Sequence, residues 1–237
     1  MKTQSPGKIF LSDERGLNEM EWFRSLNTFN FGNYYREHKQ PFGDLYLLND
    51  DMLAGGKTMS MLVEDFTHVI ILPVAGAVNF KRPGAYETLV AAGQILIHSA
   101  NPGDKFEITN PFLNETVNFL QVWIRGDKGK NILHTGPLTY EDVSQNRDTL
   151  INAFQDVHQI ERLPFSFFIG KFSGRGEAVY KPSKKNTGCF LFVLEGAFEA
   201  EGRLLHSRDG LALWDTNEIE MEALSNDAIL LLIETTL

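Results

Sequence analysis

One pattern in this chain occurs twice, and it restricts the folds open to it. I-I-L-P-V-A-G-A-V at Ile70–Val78 lines up with L-F-V-L-E-G-A-F at Leu191–Phe198, each a covered apolar strand running into Gly-Ala and a turn. A hairpin later, A-A-G-Q-I-L-I at Ala91–Ile97 lines up with R-D-G-L-A-L-W at Arg208–Trp214. Each copy then closes on a late apolar strand, F-L-Q-V-W-I in the first and I-L-L-L-I in the second. The separations agree: 120 residues between Gly76 and Gly196, and 117 between Gly93 and Gly210. Self-similarity at a constant offset predicts a duplicated β domain, two similar barrels rather than one large one.

The local signals fill in the first copy. Lys8–Leu11 reads as a short strand, and Arg15–Tyr35 as an N-terminal cover whose aromatics (Trp22, Phe23, Phe29, Phe31, Tyr34, Tyr35) pack over a barrel. Phe42–Asn49 reads as a strand, with N-D-D and Ala54-Gly55-Gly56 as the turn after it. Met59–Val74 is strand again, K-R-P-G at Lys81–Gly84 is a hairpin turn, Glu87–Ser99 is a strand pair around Ala92-Gly93, and Asn101-Pro102-Gly103 turns the chain once more. Phe106–Thr109 and Val117–Ile124 complete a run of short strands at barrel or sandwich spacing. Gly126–Gly136 reads as a polar linker. T-Y-E-D at Thr139–Asp142 has the form of a helix cap, and Leu150, Ile151, Phe154 and Val157 recur at helical spacing, so one short helix is expected between two β regions. The strand pattern returns at Phe165. The expected organisation is an N-terminal barrel over 1–130, a linker with a short helix over 131–164, and a C-terminal barrel over 165–237 completed by strands exchanged from the N-terminal part.

Charge and cysteine content narrow the function. Lys and Arg total 22 against 31 Asp and Glu, a formal charge of −9, which disfavours direct binding to a nucleic-acid backbone. A single cysteine, Cys189, allows neither an internal disulfide nor a Cys-rich metal cage; its flanks mark it as a buried strand residue and the chain as suited to a reducing compartment. No run approaches the roughly 20 apolar residues of a membrane span, and the first residues lack a signal-peptide core, so the cytoplasm is the expected location. Phosphate-loop, G-x-S-x-G and H-E-x-x-H signatures are absent from the sequence.

Several words together resemble the pirin-like bicupins. They are Arg15, Gly16, Trp22, Ser25, Thr28, Phe29, Phe31, Tyr34 and Tyr35 in the cover, N-D-D at Asn49–Asp51, F-L-Q-V-W-I at Phe119–Ile124, and D-G-L-A-L-W-D at Asp209–Asp215. The resemblance runs from about residue 8 to the end and is close to the bacterial branch associated with quercetin 2,3-dioxygenase activity. It implies an all-β bicupin, two tandem jelly-roll barrels, with a first-row metal such as iron in the N-terminal barrel. The family's first ligand motif, H-P-H-R-(x)2-E, counted back from Gly76-Ala77, falls on Leu62–His68, placing Leu62 and Glu64 at the two histidine positions and His68 at the glutamate position. The second motif, G-(x)9-G-(x)2-H-S-E, places Phe106 at its histidine and Ile108 at its glutamate. Leu62, Phe106 and Ile108 have no lone pair to offer a metal.

The expectation is therefore a pirin-like cupin that has lost the family metal site. Leu62, Glu64, His68, Phe106 and Ile108 would line a largely apolar pocket, with no catalytic residue and no cofactor. It would be a non-catalytic small-molecule-binding or regulatory protein whose partner is a small apolar or aromatic ligand or another protein. The alternative is a quercetinase-type dioxygenase holding iron or another first-row divalent metal at a site rebuilt from Glu64 and His68. His38, His98, His134, His158 and His206 are weak ligand candidates, and Glu195, Glu199 and Glu201 have no histidine beside them, so the second barrel reads as structural.

Overall fold

The computed structural model describes residues 4–126, 137–139, 142–154, 163–183 and 186–237. Its strands, in chain order, are β1 (Gly7–Phe10), β2 (Gly16–Met20), β3 (Phe23–Asn27), β4 (Leu45–Leu53), β5 (Thr58–Leu62), β6 (Thr67–Ala75), β7 (Ala77–Lys81), β8 (Thr88–Ala91), β9 (Gln94–Ala100), β10 (Lys105–Thr109), β11 (Val117–Arg125) and β12 (Leu138–Thr139). After the four-residue helix α1 (Asp142–Gln145) come β13 (Ile151–Asn152), β14 (Ser166–Phe172), β15 (Glu177–Tyr180), β16 (Thr187–Glu195), β17 (Phe198–Ala200), β18 (Arg203–Leu205), β19 (Gly210–Leu213), β20 (Ile219–Ala223) and β21 (Ala228–Thr236).

The duplication is visible in the strand order. One large sheet runs β12-β9-β6-β11-β4-β3-β2 and the other β1-β19-β16-β21-β14-β13, so β9, β6 and β11 of the first occupy the places of β19, β16 and β21 in the second. The small sheets repeat as β5-β10-β7-β8 and β15-β20-β17-β18. Gly76 and Gly196 take nearly the same left-handed conformation, φ +81° and +80°, at equivalent strand ends, a backbone that favours glycine. The fold is thus the expected all-β bicupin.

Period-two alternation sorts each large sheet into two faces. Leu47, Val69, Ile71, Leu96 and Phe119 pack against Met59, Val78, Phe80, Phe106 and Ile108 of the small sheet and fill the N-terminal barrel. Cys189, Leu191, Val193, Phe198, Met221 and Leu232 do the same in the second. The opposite faces meet each other: Leu45, Ile70, Leu72, Leu120 and Val122 of the first large sheet pack with Phe190, Phe192, Leu231 and Ile233 of the second. Four layers result, with the two small sheets outermost.

The N-terminus crosses between the halves. β1 pairs antiparallel with β19 of the second barrel, Gly7 opposite Leu213 and Phe10 opposite Gly210, while β2 and β3 extend the first barrel's sheet beyond β4. Cys189 is buried, and burial pushes its thiol up to about 12, as suits a core residue.

Two local expectations need correction. Asp50 and Asp51 do not turn the chain; they lie inside β4, buried, because Arg15, Asn118 and Gln121 supply donors to their carboxylates there. The helical periodicity over Leu150–Val157 does not yield a helix: Ile151 and Asn152 form β13 and pair with Ile169 and Phe168, tertiary pairing overriding a short periodic run, while Val157 lies outside the described residues. Of the capping sequence, Tyr140 and Glu141 also lie outside them, as do residues 127–136 of the expected linker. Among the described residues no helix is long and apolar enough to cross a membrane.

Candidate functional site

The pocket residues expected from sequence do not converge. Phe106 and Ile108, on β10, point into the N-terminal barrel and are buried. Leu62 is 51% exposed, its side chain on the outer face of the small sheet, and Glu64 is exposed too. His68 is buried on the other face of β6, toward the layer between the barrels. Its Nδ1 lies 2.8 Å from Ser99 Oγ, and its ring packs against Phe66 and Phe165, at 5.5 and 5.6 Å between centroids. Its Nε2 lies against Gly126, where an added Cβ would come within 2.6 Å. Burial among these rings pulls the imidazole down to about 4, so it is neutral at physiological pH. Glu64 and His68 therefore build no shared site.

The physical reason is strand register, which a residue count along the motif does not see. Between β11 and β6, Asn118 pairs with Ala75 but Phe119 pairs with Pro73, so β6 carries one extra residue, Val74, against its partner. The second barrel carries the same irregularity between Val193 and Glu195, and a loop separates β5 from β6, so the inward face of β5 is set by its pairing with β10. The inward positions here are Met59, Met61 and Val63, and Met61 stands opposite Phe106 in the β10–β5 register.

What fills the barrel is an aromatic cluster. The Phe106 ring lies 5.2 Å from Phe80, 5.7 Å from Trp123 and 6.4 Å from His98, and Tyr46 meets Trp123 edge-on at 6.1 Å. Edge and tilted arrangements of this kind favour ring quadrupoles as well as burial. His98, a weak ligand candidate in the sequence, also faces this interior: it belongs to β9 with Leu96 and Ala100, whose parity carries it inward, and Phe80 packs on it at 5.3 Å. The alternation Leu96, His98, Ala100 held that information once the inward face was known.

Deeper in the same barrel lies a buried polar string. Trp123 Nε1 donates to Gln121 Oε1 at 3.3 Å, Gln121 Nε2 donates to Asp51 Oδ2 at 2.5 Å, and Asn27 Nδ2 donates to Ser25 Oγ at 2.8 Å. Asp51 Oδ1 and Asn49 Oδ1 are buried without a hydrogen-bond partner among the described residues. Burial, helped by neighbouring Asp50 and opposed by Ser25 and Gln121, lifts the Asp51 carboxyl to about 7.

The donor set does not fit the family's metal. Two thioethers, one valine, one phenylalanine and one isoleucine face the space, and His98 contributes a single imidazole, whereas a first-row ion needs three or four nitrogen, oxygen or thiolate ligands. Among the described residues no group of three or more His, Cys, Asp or Glu side chains is arranged to hold an ion. His38 and His206 are exposed, and His134 and His158 lie outside the described residues.

Comparison with known proteins agrees with the architecture. Residues 162–235 match the family described as the quercetinase C-terminal cupin domain. The chain is 24% identical to a quercetin 2,3-dioxygenase of Escherichia coli K12, over 93% of this chain and 95% of that one. It is 25% identical to a pirin-like protein of Caulobacter vibrioides, over 94% and 96%. In three dimensions it resembles the bacterial pirin YhhW of Escherichia coli in complex with nickel(II), with a TM-score of 0.84 at 22% identity, over 98% of this chain and 99% of that one. At that identity the structural likeness speaks for the fold. The chain is similar to pirin-like proteins along nearly its whole length, and its fold is that of a bicupin.

Proposed function

We propose that this pirin-like cupin works without the family's metal site, as a non-catalytic small-molecule-binding or regulatory protein. The observation that supports the reading is the packing of Phe106 among Phe80, His98 and Trp123, in the space that a histidine ligand and its metal would need. The resemblance expects ligands at Leu62, Glu64, Phe106 and Ile108; the side chains that face the barrel there are Met61, Val63, Phe106 and Ile108, and none of these four has an imidazole or carboxylate. With rings filling the barrel, contact through the outer surfaces with another protein is favoured over a ligand held deep inside.

A second reading is a metal-dependent quercetin 2,3-dioxygenase. It draws on the names of the relatives and on His98, which faces the barrel interior; Glu64 and His68 lend it nothing, since Glu64 is exposed in the loop between β5 and β6 and His68 is buried toward the other barrel. Oxygen uptake with quercetin, measured after incubation with iron(II), nickel(II) or manganese(II), separates the two. The first reading predicts uptake equal to a heat-treated control, whereas uptake above the control that His98→Ala abolishes would establish the second.

A further inference from the structure

The two outermost sheets are equivalent by duplication but differ in charge. On the outer face of the C-terminal small sheet, Glu222 stands directly opposite Glu177 on one side and Glu199 on the other, and Glu220 lies on the same face of β20. Like charges opposed across strands are unfavourable. Arg175 reaches Glu222 at 2.7 Å and Ser5 Oγ donates to Glu201 Oε2 at 3.0 Å, yet the groove of about 390 Å³ on this face remains lined by carboxylates. Its exposed apolar residues are Val179 and Leu204.

The N-terminal small sheet carries cations at matching places. The offset that puts Gly76 on Gly196 puts Lys81 on Glu201, and the strand registers (Asn79 with Thr109, Glu199 with Glu222) put Lys105 on Glu218. Lys81 and Lys105 are exposed and, with Arg82, line a depression of about 300 Å³ in which Glu107 is the one carboxylate. Leu62 and Leu89 are the exposed apolar residues of this face. Each barrel thus ends in an unpartnered sheet face with two exposed aliphatic side chains, one basic and one acidic, looking in opposite directions.

We propose that copies of this chain associate head to tail, the basic outer sheet of one N-terminal barrel on the acidic outer sheet of the next copy's C-terminal barrel. Faces at opposite ends of one molecule cannot both be satisfied within a two-fold pair, so the contact is heterologous and the assembly open. Four strands about 4.8 Å apart and about five residues long give a face on the order of 300 Å². That is well under the roughly 800 Å² per partner of a standard interface, so the association is reversible and driven by concentration. Its charged character makes it sensitive to salt.

Sedimentation velocity on the full chain tests this at about 0.02 M and about 0.5 M salt, where the Debye length falls from roughly 20 Å to roughly 4 Å. In low salt the average mass is expected to rise with protein concentration without a plateau at the dimer, and in high salt to return to the monomer. Lys81→Glu with Lys105→Glu, and separately Glu177→Lys with Glu199→Lys and Glu222→Lys, should each leave a monomer with unchanged circular dichroism. Mixing the two variants, one acidic at both ends and the other basic at both, should restore association. A monomer at every concentration in low salt, a dimer that survives either charge reversal, association indifferent to salt, or a mixture that stays monomeric would each overturn the proposal. None of these readouts depends on whether metal binds.

Discussion

The phenylalanine ring at position 106 lies 5.2 Å from Phe80 and 5.7 Å from Trp123, and it carries no lone pair for a metal. Asp51 is the other residue that sets the character of this barrel. Its carboxyl, lifted to about 7 by burial, holds its proton more tightly folded than unfolded, where the value is 3.8. A raised folded value means that the proton favours the fold: its contribution is fully present below about 3.8 and is lost as pH rises through about 7, an effect on the order of a few kcal/mol. Asp51→Asn removes the charge and keeps an acceptor for Gln121. In thermal unfolding across pH 4 to 8, the variant is expected to gain on the parent as pH rises, with the difference closing near pH 4; a difference constant with pH would contradict the assignment. Residues 106 and 108 were legible in the sequence because glycine spacing fixes their strand. Leu62, Glu64 and His68 were not, because pairing across the sheet decides which residue turns inward, Met61 rather than Leu62 on β5 and Val69 rather than His68 on β6, and residue identity does not record it.

At the scale of elements, the repeated strand-Gly-Ala words and the turns at Gly84, Gly93 and Gly103 were readable because each demands a backbone that glycine supplies at positive φ. The short segment at Ile151–Asn152 was not, since two residues carry no periodicity of their own and are ordered by pairing with β14. β1 illustrates the same limit: Lys8–Leu11 looks like a strand in the sequence, but nothing local says that it pairs with β19 some two hundred residues later. There Phe10 packs on Phe29 and Phe190, at 5.3 and 5.5 Å, and Trp214 N donates to Pro6 O at 3.2 Å. Removing residues 1–10 should therefore destabilise the second barrel, with Phe10 alone worth about 3–5 kcal/mol by the usual large-to-small measure. The check is chemical denaturation followed by tryptophan emission, with Trp214 as the nearest reporter; an unchanged midpoint would show that β1 is dispensable.

Across the whole molecule the halves are joined by more than apolar packing. Arg15 from the cover donates to Asp50 at 3.0 Å, Asn118 of β11 donates to the other carboxylate oxygen at 2.6 Å, and Arg208 from the second half stands 3.6 Å away. Asp50 and Arg15 are nearly buried, at 5% and 7% side-chain exposure. Asp50→Ala would leave two guanidinium groups without their carboxylate at the seam, a loss of about 3–5 kcal/mol, whereas Asp50→Asn keeps an acceptor for Arg15 and should lose less. Equal losses in calorimetry would mean that the acceptor retained by asparagine contributes nothing and the charge carries the whole effect. The sequence pointed to Arg15 and the N-D-D word as marks of a family but gave no hint that they meet Arg208.

The central claim is that the N-terminal barrel has exchanged metal ligands for packing at Met61, Val63, Phe106 and Ile108. Calorimetric titration of nickel(II) into protein prepared without an affinity tag tests it most directly, with the quadruple variant Met61→His, Val63→His, Phe106→His and Ile108→Glu alongside the parent. The account predicts no saturable binding by the parent and about one ion per folded chain for the variant, the closed stoichiometry of a four-ligand site. One ion per chain in the parent, lost on His98→Ala, or a folded quadruple variant that binds none, would contradict it.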